Sequence, residues 1–457
     1  MRTLRPGKRF PAWLLRPAKR FPAWLLRPAK RFPAWLLRPA KRFPAWLLRP
    51  GKRFPAWLLR PAKRFPAWLL RPAKAALLAG SLCLLALPIA GCWDLRELEH
   101  MFYAHAVGVD YRDGKYRLYV QIIDFSALGK HEGGGPEQQE TGGSWVGLGI
   151  GGSIQEALQD LYTSSQRRFY WGHLNSVVLS ESVLKQGIET SIGVLSRYHE
   201  FRYTHWLFAT REPIDDVLLA SPILEFSPVY SQLGDPVDTY RQSSIVRPKR
   251  MFQLIVEMNE AGRTALLPLI SLERLRWADR QKKYAAIEIH DAVILKDGKW
   301  HAVMSDELLL GKRWLEAETE RTHVYIKQDG RTEAVLVFRR PKFRIAWQDD
   351  GGRIRFDLKL SLRAVISEHS AGMTLDTIIR RAEETIRDEI RLTYNEGIKR
   401  QADVFNLLDP VYRNDPKLFR RLTAGGRFPL DESSLRNIDV RVTIASTGKT
   451  QESFRVR

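Results

Sequence analysis

The 457-residue chain has two cysteines, Cys83 and Cys92, and no aspartate or glutamate before Asp94. So few cysteines argue against a disulfide-rich fold. Because the first 91 residues carry only basic charged groups, they account for 21 of the formal net charge of +22. Residues 92–457 are therefore close to neutral, and we expect no nucleic-acid partner for them.

The sequence also lacks the motifs of common hydrolases and metalloenzymes, such as HExxH and GxSxG. Without such partners, His173 is predicted to be structural rather than catalytic. The pair Asp349-Asp350 is interpreted as turn residues, and a local backbone hydrogen bond would account for Asp403 near a helix end. We therefore predict a non-enzymatic protein with no catalytic residue, no cofactor and no metal.

The glycine-rich segment 147–152 matches the pattern GxGxxG and stands directly before a predicted helix. A dinucleotide site requires a strand before the glycines, within a βαβ unit. Only Trp145 and Val146 precede the glycines as strand-like residues, so we predict a flexible strand-to-helix turn instead. Ser153 and Glu156 form a capping box that starts the helix.

Cys92 has the setting of a bacterial lipoprotein acylation site. A basic stretch precedes the apolar run 75–91, and the small residues Ala90 and Gly91 stand directly before the cysteine. Cys83 fits this role poorly because Leu82 precedes it. A transmembrane anchor is the alternative, but 17 helical residues span only about 25 Å of a bilayer core of about 30 Å. Acylation of Cys92 would leave no thiol for a disulfide framework or a cysteine metal site.

Residues 8–73 consist of six nearly identical copies of an 11-residue unit, Lys-Arg-Phe-Pro-Ala-Trp-Leu-Leu-Arg-Pro-Ala. Two prolines in each unit prevent a continuous helix. The alternation of Phe, Trp and Leu with Lys and Arg would suit a membrane-surface arm. We favour an extended basic region that is discarded with the signal peptide, or a start site placed too far upstream.

Residues 92–211 are predicted to form an N-terminal α+β domain. Residues 102–111 and 115–125 form a predicted hairpin around the Asp113-Gly114 turn, and a strand is expected near residues 175–179. Residues 212–285 are interrupted by prolines and carry a helical pattern at 251–261. We interpret them as a small middle domain or a long connector.

Residues 286–457 are predicted to form a C-terminal α+β domain. A cleanly alternating strand covers 354–362, a long helix follows at 375–404, and a final strand lies at 438–445. Three hairpin turns are expected at the dipeptides Asp297-Gly298, Asp329-Gly330 and Asp350-Gly351. The fold class is therefore multi-domain α+β, with antiparallel sheets, packed helices and the long helix on the C-terminal sheet.

Several segments together resemble the Ger(x)C family of spore germination lipoproteins. Cys92-Trp-Asp-Leu-Arg-Glu-Leu98 is similar to the mature start of the family, and residues 152–158 and 168–181 are similar to its N-terminal half. Residues 399–405 resemble its long C-terminal helix, and residues 441–448 resemble its closing strand. The resemblance covers nearly all of the chain after residue 91, in the same order, although the repeat array departs from the short leader of the family.

The resemblance implies an elongated three-domain α+β protein that serves as the lipid-anchored subunit of a nutrient germinant receptor. Its expected partners are membrane lipid, through acylated Cys92, and two integral membrane receptor subunits. Its expected location is the outer face of the bacterial cell membrane, which in spores is the inner membrane. Cys92 is the one functional residue that carries over. Two rival functions are a substrate-binding lipoprotein of an importer and a cell-wall hydrolase.

Overall fold

The protein is described by a computed structural model. Residues Arg96–Arg457 form one compact unit, to which nearly all described residues belong. The predicted signal peptide, the repeat array and Cys92 lie outside the described residues, apart from Gly80 and Ser81. The described residues are 80–81, 101–123, 144–197, 200–220, 228–278, 280, 283–370 and 373–446.

The first sheet contains ten described strands in the order β10-β9-β8-β6-β5-β1-β2-β3, with β4 paired to β1 and β7 paired to β6. Strands β1, β5, β6 and β8 run parallel, whereas the pairings toward both ends of the sheet are antiparallel. The strands are β1 Met101–Arg112, β2 Lys115–Ile123, β3 Trp145–Gly151, β4 Arg168–Tyr170, β5 Ser176–Ser180, β6 Trp206–Thr210, β7 Lys249–Arg250, β8 Ala265–Ala278, β9 Lys283–Lys296 and β10 Lys299–Met304.

Helices cover both faces of this sheet, so its central strands are buried on both sides. Helices α1, α2, α3 and α6 pack on one face and α4 on the other. Since parallel strands need cover on both faces, the near-continuous apolar composition of β5 and β6 follows from this position. The helices are α1 Ile154–Ser164, α2 Glu181–Gln186, α3 Ile188–Leu195, α4 Ile214–Leu219, α5 Val237–Gln242, α6 Met251–Asn259 and α7 Asp306–Leu309.

The predicted N-terminal hairpin is confirmed. Strands β1 and β2 pair directly through Arg112 and Lys115. Asp113 and Gly114 between them have φ values of 55° and 75°, the left-handed pair that a tight hairpin turn requires.

The glycine-rich segment is a strand and not the flexible turn predicted from sequence. Gly147, Gly149 and Gly151 alternate along β3, so they share the face on which α1 packs. A Cβ atom at Gly149 would lie 1.9 Å from the carbonyl oxygen of Ala157. The glycines therefore allow the backbones of strand and helix to approach closely, a need that is not visible in the local sequence.

The middle of the chain contributes directly to the first sheet. The predicted helix at 251–261 is confirmed as α6, but the long strand β8 was not predicted. Its partner β9 crosses the predicted boundary between residues 285 and 286. The domain boundaries at 211/212 and 285/286 stay predictions, and strands from all three predicted segments belong to one sheet.

The second sheet has the order β11-β12-β14-β13, with β15 paired to β14. The pairing of β14 with β15 is parallel, in contrast to the purely antiparallel sheet expected for this region. A parallel pair needs a crossover connection, and helix α8 provides it. The elements are β11 Thr322–Gln328, β12 Arg331–Phe338, β13 Lys342–Asp350, β14 Arg353–His369, α8 Leu375–Lys399, α9 Leu408–Asn414, α10 Pro416–Leu422 and β15 Leu435–Ser446.

The long helix α8 lies on this sheet as predicted, but it ends at Lys399 rather than near residue 404. Gln401, just beyond its end, has a φ of 51°, a value that stops helical hydrogen bonding. The residues spaced four apart, Ile378, Ala382, Ile386, Ile390 and Tyr394, are all buried.

Glu383 and Arg387 are four residues apart on this helix, a spacing that favours an ion pair, but each bonds to β15 instead. Glu383 accepts a hydrogen bond from the backbone N–H of Val442 at 2.9 Å, and Arg387 donates to the carbonyl oxygen of Ile438 at 3.3 Å. Both side chains therefore hold β15 instead of each other. Glu396 and Arg400, which have the same i,i+4 spacing, do form an ion pair.

Two of the three predicted hairpin turns are confirmed, since Asp297-Gly298 and Asp329-Gly330 have positive φ at both positions. The third turn lies one residue later than predicted. Gly351 and Gly352 have φ values of 60° and 90°, and Asp350 ends strand β13. Two consecutive glycines take the left-handed positions more readily than an aspartate does.

Candidate functional site

The predicted lipid attachment residue, Cys92, lies outside the described residues, and its acylation stays a prediction. Met101, the first residue of β1, follows it by nine peptide steps. At roughly 3.5 Å per residue, those steps span at most about 32 Å. The end of the first sheet at which β1 begins is therefore the end closest along the chain to Cys92. Among the described residues, no helix has the length and apolar character to cross a membrane.

His173 packs in an aromatic cluster at that end of the sheet. Its ring centroid lies 5.4 Å from that of Tyr103 and 5.5 Å from that of Tyr170, with edge-to-face geometry in both cases. Strand β4 brings Tyr170 opposite Tyr103 on β1. The arrangement supports the structural role predicted for this histidine.

The backbone N–H groups at the start of α1 are bonded to the protein itself. The Ser153 hydroxyl accepts a hydrogen bond from the N–H of Glu156 at 3.1 Å, and the Glu156 carboxylate accepts one from the N–H of Gly152 at 2.8 Å. The predicted capping box is present, with Gly152 in place of the cap residue as the second donor. Two of the N–H groups that could hold a phosphate, those of Gly152 and Glu156, are thus already occupied, which disfavours a dinucleotide at the glycine segment.

Asp349 and Asp403, for which the sequence predicts local structural roles, make such local contacts in the structure. Asp349 accepts a hydrogen bond from the N–H of Gly352 at 2.9 Å and so fixes the β13–β14 turn. Asp403 is 5% exposed and accepts from the N–H of Leu408 at 2.8 Å. Burial raises the pKa of Asp403 to about 6, and the backbone hydrogen bonds oppose that rise only in part.

A buried group of ionised side chains, which sequence analysis missed, lies between the first sheet and the segment after α7. Lys249 on β7 pairs with Glu257 on α6, with side-chain exposures of 10% and 12%. Nearby, Glu316 pairs with Arg247 at 3.1 Å and with Lys312 at 3.3 Å. The sequence 247–250 contains three basic residues and looks like a solvated stretch, so no local signal marks their burial.

The ionisation of this group is set by competition between burial and charge. Burial alone would favour neutral Glu316, but Lys312, a side-chain hydrogen bond with Glu318, and the charges of Arg247 and Lys249 together lower the pKa of this carboxyl to about 2. For Lys249 burial is the stronger effect, and it lowers the pKa of the ammonium despite the Glu257 carboxylate. The charges are satisfied within the protein, so they tie β7 and α6 to the following segment rather than form an open catalytic site.

Three potential metal ligands, His290, Asp291 and Asp306, have one ligand atom each within 4.8 Å of the others. The His290 and Asp291 side chains already bond within the protein. Asp291 Oδ1 contacts His290 Nδ1 at 2.8 Å and accepts from the N–H of Asp306 at 3.0 Å. These bonds fasten the start of α7 to β9, which explains the cluster without an ion.

A small hydrophobic cluster joins the first sheet to the loop after α8. Its members come from β8, β9 and β10 of the first sheet, from α7, and from the loop after α8. Polar contacts support it, since the N–H of Thr264 donates to Asn406 at 2.9 Å and Arg263 pairs with Asp409 at 3.0 Å. The buried members are Leu266, Ala292, Ile294, Met304, Leu309, Ala402 and Val404.

Comparison with known protein families assigns most of the chain after residue 92. The family model described as the spore germination protein N-terminal domain matches residues 94–272. The model for the C-terminal region of spore germination B3/GerAC-like proteins matches residues 291–448. The chain belongs to the Ger(x)C family of spore germination proteins. Both matched regions follow each other in the order that the sequence resemblance predicted.

Relatives from Bacillus subtilis (strain 168) agree with this assignment. Spore germination protein KC is 24% identical over 385 residues, which cover 76% of this chain and 90% of the relative. The putative spore germination protein YfkR is 22% identical, with 72% and 86% covered. Spore germination protein YndF is also 22% identical, with 81% and 96% covered.

One solved structure is similar to this Ger(x)C chain, that of the GerBC protein. The similarity covers 76% of this chain and all of that protein, with 15% identity and a TM-score of 0.46.

Proposed function

We propose that this Ger(x)C protein is a lipid-anchored, non-enzymatic subunit of a spore nutrient germinant receptor. Its acylated Cys92 would hold it at the outer face of the membrane, which in the spore is the inner membrane. Two integral membrane subunits would complete the receptor. The observation that carries the proposal is the match of both germination-protein models, in order, over residues 94–272 and 291–448.

The lipid anchor is supported by the residues before the first matched region. Ala90, Gly91 and Cys92 follow an apolar run and precede residue 94, where the family match begins, by only a few positions. One acyl chain binds a membrane weakly, whereas the several chains of a processed lipoprotein hold it stably. The non-enzymatic role is supported by the buried charged side chains, which bond to one another rather than line an open reaction site.

The anchor is tested by replacing Cys92 with alanine in the full chain, with Cys83→Ala as the matched control. We expect Cys92→Ala to move the protein from the membrane fraction to the soluble fraction, to stop incorporation of labelled lipid and to weaken germination with nutrients. Cys83→Ala should change none of these. Normal membrane fractionation and lipid labelling of Cys92→Ala would contradict the proposal.

The rival interpretation as a substrate-binding lipoprotein of an importer gains no support from the relatives described above, which are all named as germination proteins.

A further inference from the structure

The first sheet has two distinct ends because its central strands are parallel. We call the end at which β1 begins the basal edge. The residues that define it are Trp145, Arg168, Tyr170, Arg202, Tyr203 and Arg250. The opposite end carries the tip of the β8–β9 hairpin, with Leu275 and Trp277 exposed by 71% and 50%.

Strand pairing places the members of the basal edge together. Arg168 on β4 pairs with Met101, and Tyr170 pairs with Tyr103. Trp145, at the start of β3, pairs with Ile122, whose partner on β1 is Ala104.

The segment before β6 completes the edge. Strand β6 is parallel to β5 and β5 to β1, so residues just before Trp206 lie at the end where β1 begins. The carbonyl oxygen of Tyr203 accepts from the N–H of Phe252 at 2.9 Å, and Arg250 donates to the carbonyl oxygen of Thr204.

The composition of this edge matches an anionic membrane surface. Its aromatic side chains are exposed, by 71% for Trp145, 51% for Tyr203 and 38% for Tyr170. Arg168 and Arg202 are exposed beside them. Aromatic residues with polar tips favour the headgroup layer, and basic residues are attracted to anionic lipid.

An open groove at this edge adds a recess of about 550 Å³. Its wall includes Arg167, Arg168 and the aromatic ring of Trp171. Glu200 also lines it and reduces its positive charge, so the attraction comes from the whole edge rather than from the groove alone.

We propose that the basal edge rests on the anionic phospholipid headgroups of the membrane to which the protein is anchored. This inference rests on the proposed lipid anchor, because the tether from Cys92 reaches Met101 within about 32 Å. The register Val109–Leu179–Ala209–Leu269 places the hairpin tip on the order of 50 Å from Met101 along the strands. The tip therefore points away from the membrane.

The first test measures binding of residues 92–457 carrying Cys92→Ala to sedimented vesicles. Residues 96–457 form a compact unit with complete cores, and omitting residues 1–91 removes the basic array, which would bind anionic lipid by itself. We expect binding to vesicles that contain phosphatidylglycerol and little binding to pure phosphatidylcholine. Because this protein is unacylated, the result does not depend on whether Cys92 is modified in the cell.

A matched pair of double variants identifies the surface. Each basic residue near an anionic surface contributes about 1 kcal/mol, which is about a fivefold change in partitioning. Arg168→Gln with Arg202→Gln should therefore weaken vesicle binding about 25-fold. The control, Arg344→Gln with Lys359→Gln, removes two exposed charges from the second sheet and should change binding less than twofold. Equal losses in both, no loss at the edge, or no binding of the parent would overturn the proposal.

The second test measures orientation with a nitroxide label on a single introduced cysteine. A label at Tyr203→Cys should become shielded from a water-soluble relaxation agent when vesicles are added, and a label at Trp277→Cys should stay accessible. Shielding of the Trp277→Cys label alone would show that the hairpin tip faces the membrane, and it would contradict the inference.

Discussion

The buried pair Lys249–Glu257 offers a sharp test of how the charged cluster stabilises the fold. Both side chains are nearly buried, at 10% and 12% exposure. Replacing Lys249 with methionine keeps the length of the side chain but leaves the Glu257 carboxylate without its cation. Breaking a buried pair in this way costs about 3–5 kcal/mol of unfolding free energy, because the remaining charge has lost its hydration without a partner.

A second variant, Lys249→Met with Glu257→Leu, removes both charges together. We expect it to recover most of the loss, since a well-packed apolar pair often matches a buried ion pair in stability. Recovery should be incomplete, because Lys249 also contributes to the electrostatic stabilisation of ionised Glu316.

The assay is urea unfolding of residues 92–457 with Cys92→Ala, followed by tryptophan fluorescence. At a slope of about 3 kcal/mol per molar, the single variant should lower the midpoint by about 1 M or more. Arg241→Met is the control: its partner Asp238 is 71% exposed, so this change should cost about 1 kcal/mol at most. A single variant that costs less than the control, or a double variant no more stable than Lys249→Met alone, would refute the reasoning.

Two further predictions concern buried groups elsewhere. Because the folded-state pKa of Asp403 is raised from 3.8 to about 6, its stabilising contribution is present below pH 4 and lost as pH rises through 6. The free energy of unfolding of Asp403→Asn, measured with urea, should therefore rise by about 3 kcal/mol relative to that of the parent as the pH is raised from 4 to 7. A pH-independent difference between the two proteins would contradict this. Gly149→Ala should lower the free energy of unfolding by about 1–3 kcal/mol or more, because its Cβ would collide with the backbone of Ala157. Gly193→Ala, where a Cβ meets nothing within 4 Å, should be neutral or stabilising by about 0.5–1 kcal/mol in the same urea unfolding assay. Equal losses at both glycines would argue against the close packing of α1 on β3.

Elements specified by nearby residues were predicted well. The Asp113-Gly114 turn fixes the register of β1 and β2, and the spacing of apolar residues on α8 identifies the face that packs on the second sheet. Both signals lie in residues that are close together in the sequence. The error at the end of α8, near Lys399, lies at a terminus, where a single left-handed residue decides the outcome.

Features that depend on distant contacts were missed for a physical reason. Strand β8 contains Pro268 and then several charged residues, so its local pattern does not favour a strand. It nevertheless pairs with β9 from Ala265 to Ala278, apart from irregularities in register, one of which lies between Glu273 and Trp277. The role of Gly149 depends on α1, and the burial of Lys249 depends on Glu257 and the segment near Glu316. In each case a partner outside the local window supplies the stabilisation.

The predicted lipid site, in contrast, depends on local sequence and not on distant contacts. The predicted signal at Cys92 is linear, because the basic stretch, the apolar run 75–91 and the small residues Ala90 and Gly91 can all be identified without tertiary contacts. The orientation of the protein on a membrane cannot be obtained in this way. It requires the strand register, which brings Arg168 and Arg202 to the same end of the sheet as Met101.

The division of the Ger(x)C family into two matched regions does not correspond to a break in the sheet. The first region ends at residue 272 and the second begins at residue 291, positions that lie within β8 and β9. These strands pair on both sides of the division, for example Leu272 with Ile287 and Leu267 with Val293. Separating the regions would expose unpaired strand edges and the cluster around Met304 and Val404. Strand pairing within the first sheet joins the basal edge to β8 and β9, and the shared hydrophobic cluster joins those strands to the segment after α8. A membrane-bound subunit of this construction would hold its C-terminal sheet at a defined position above the bilayer.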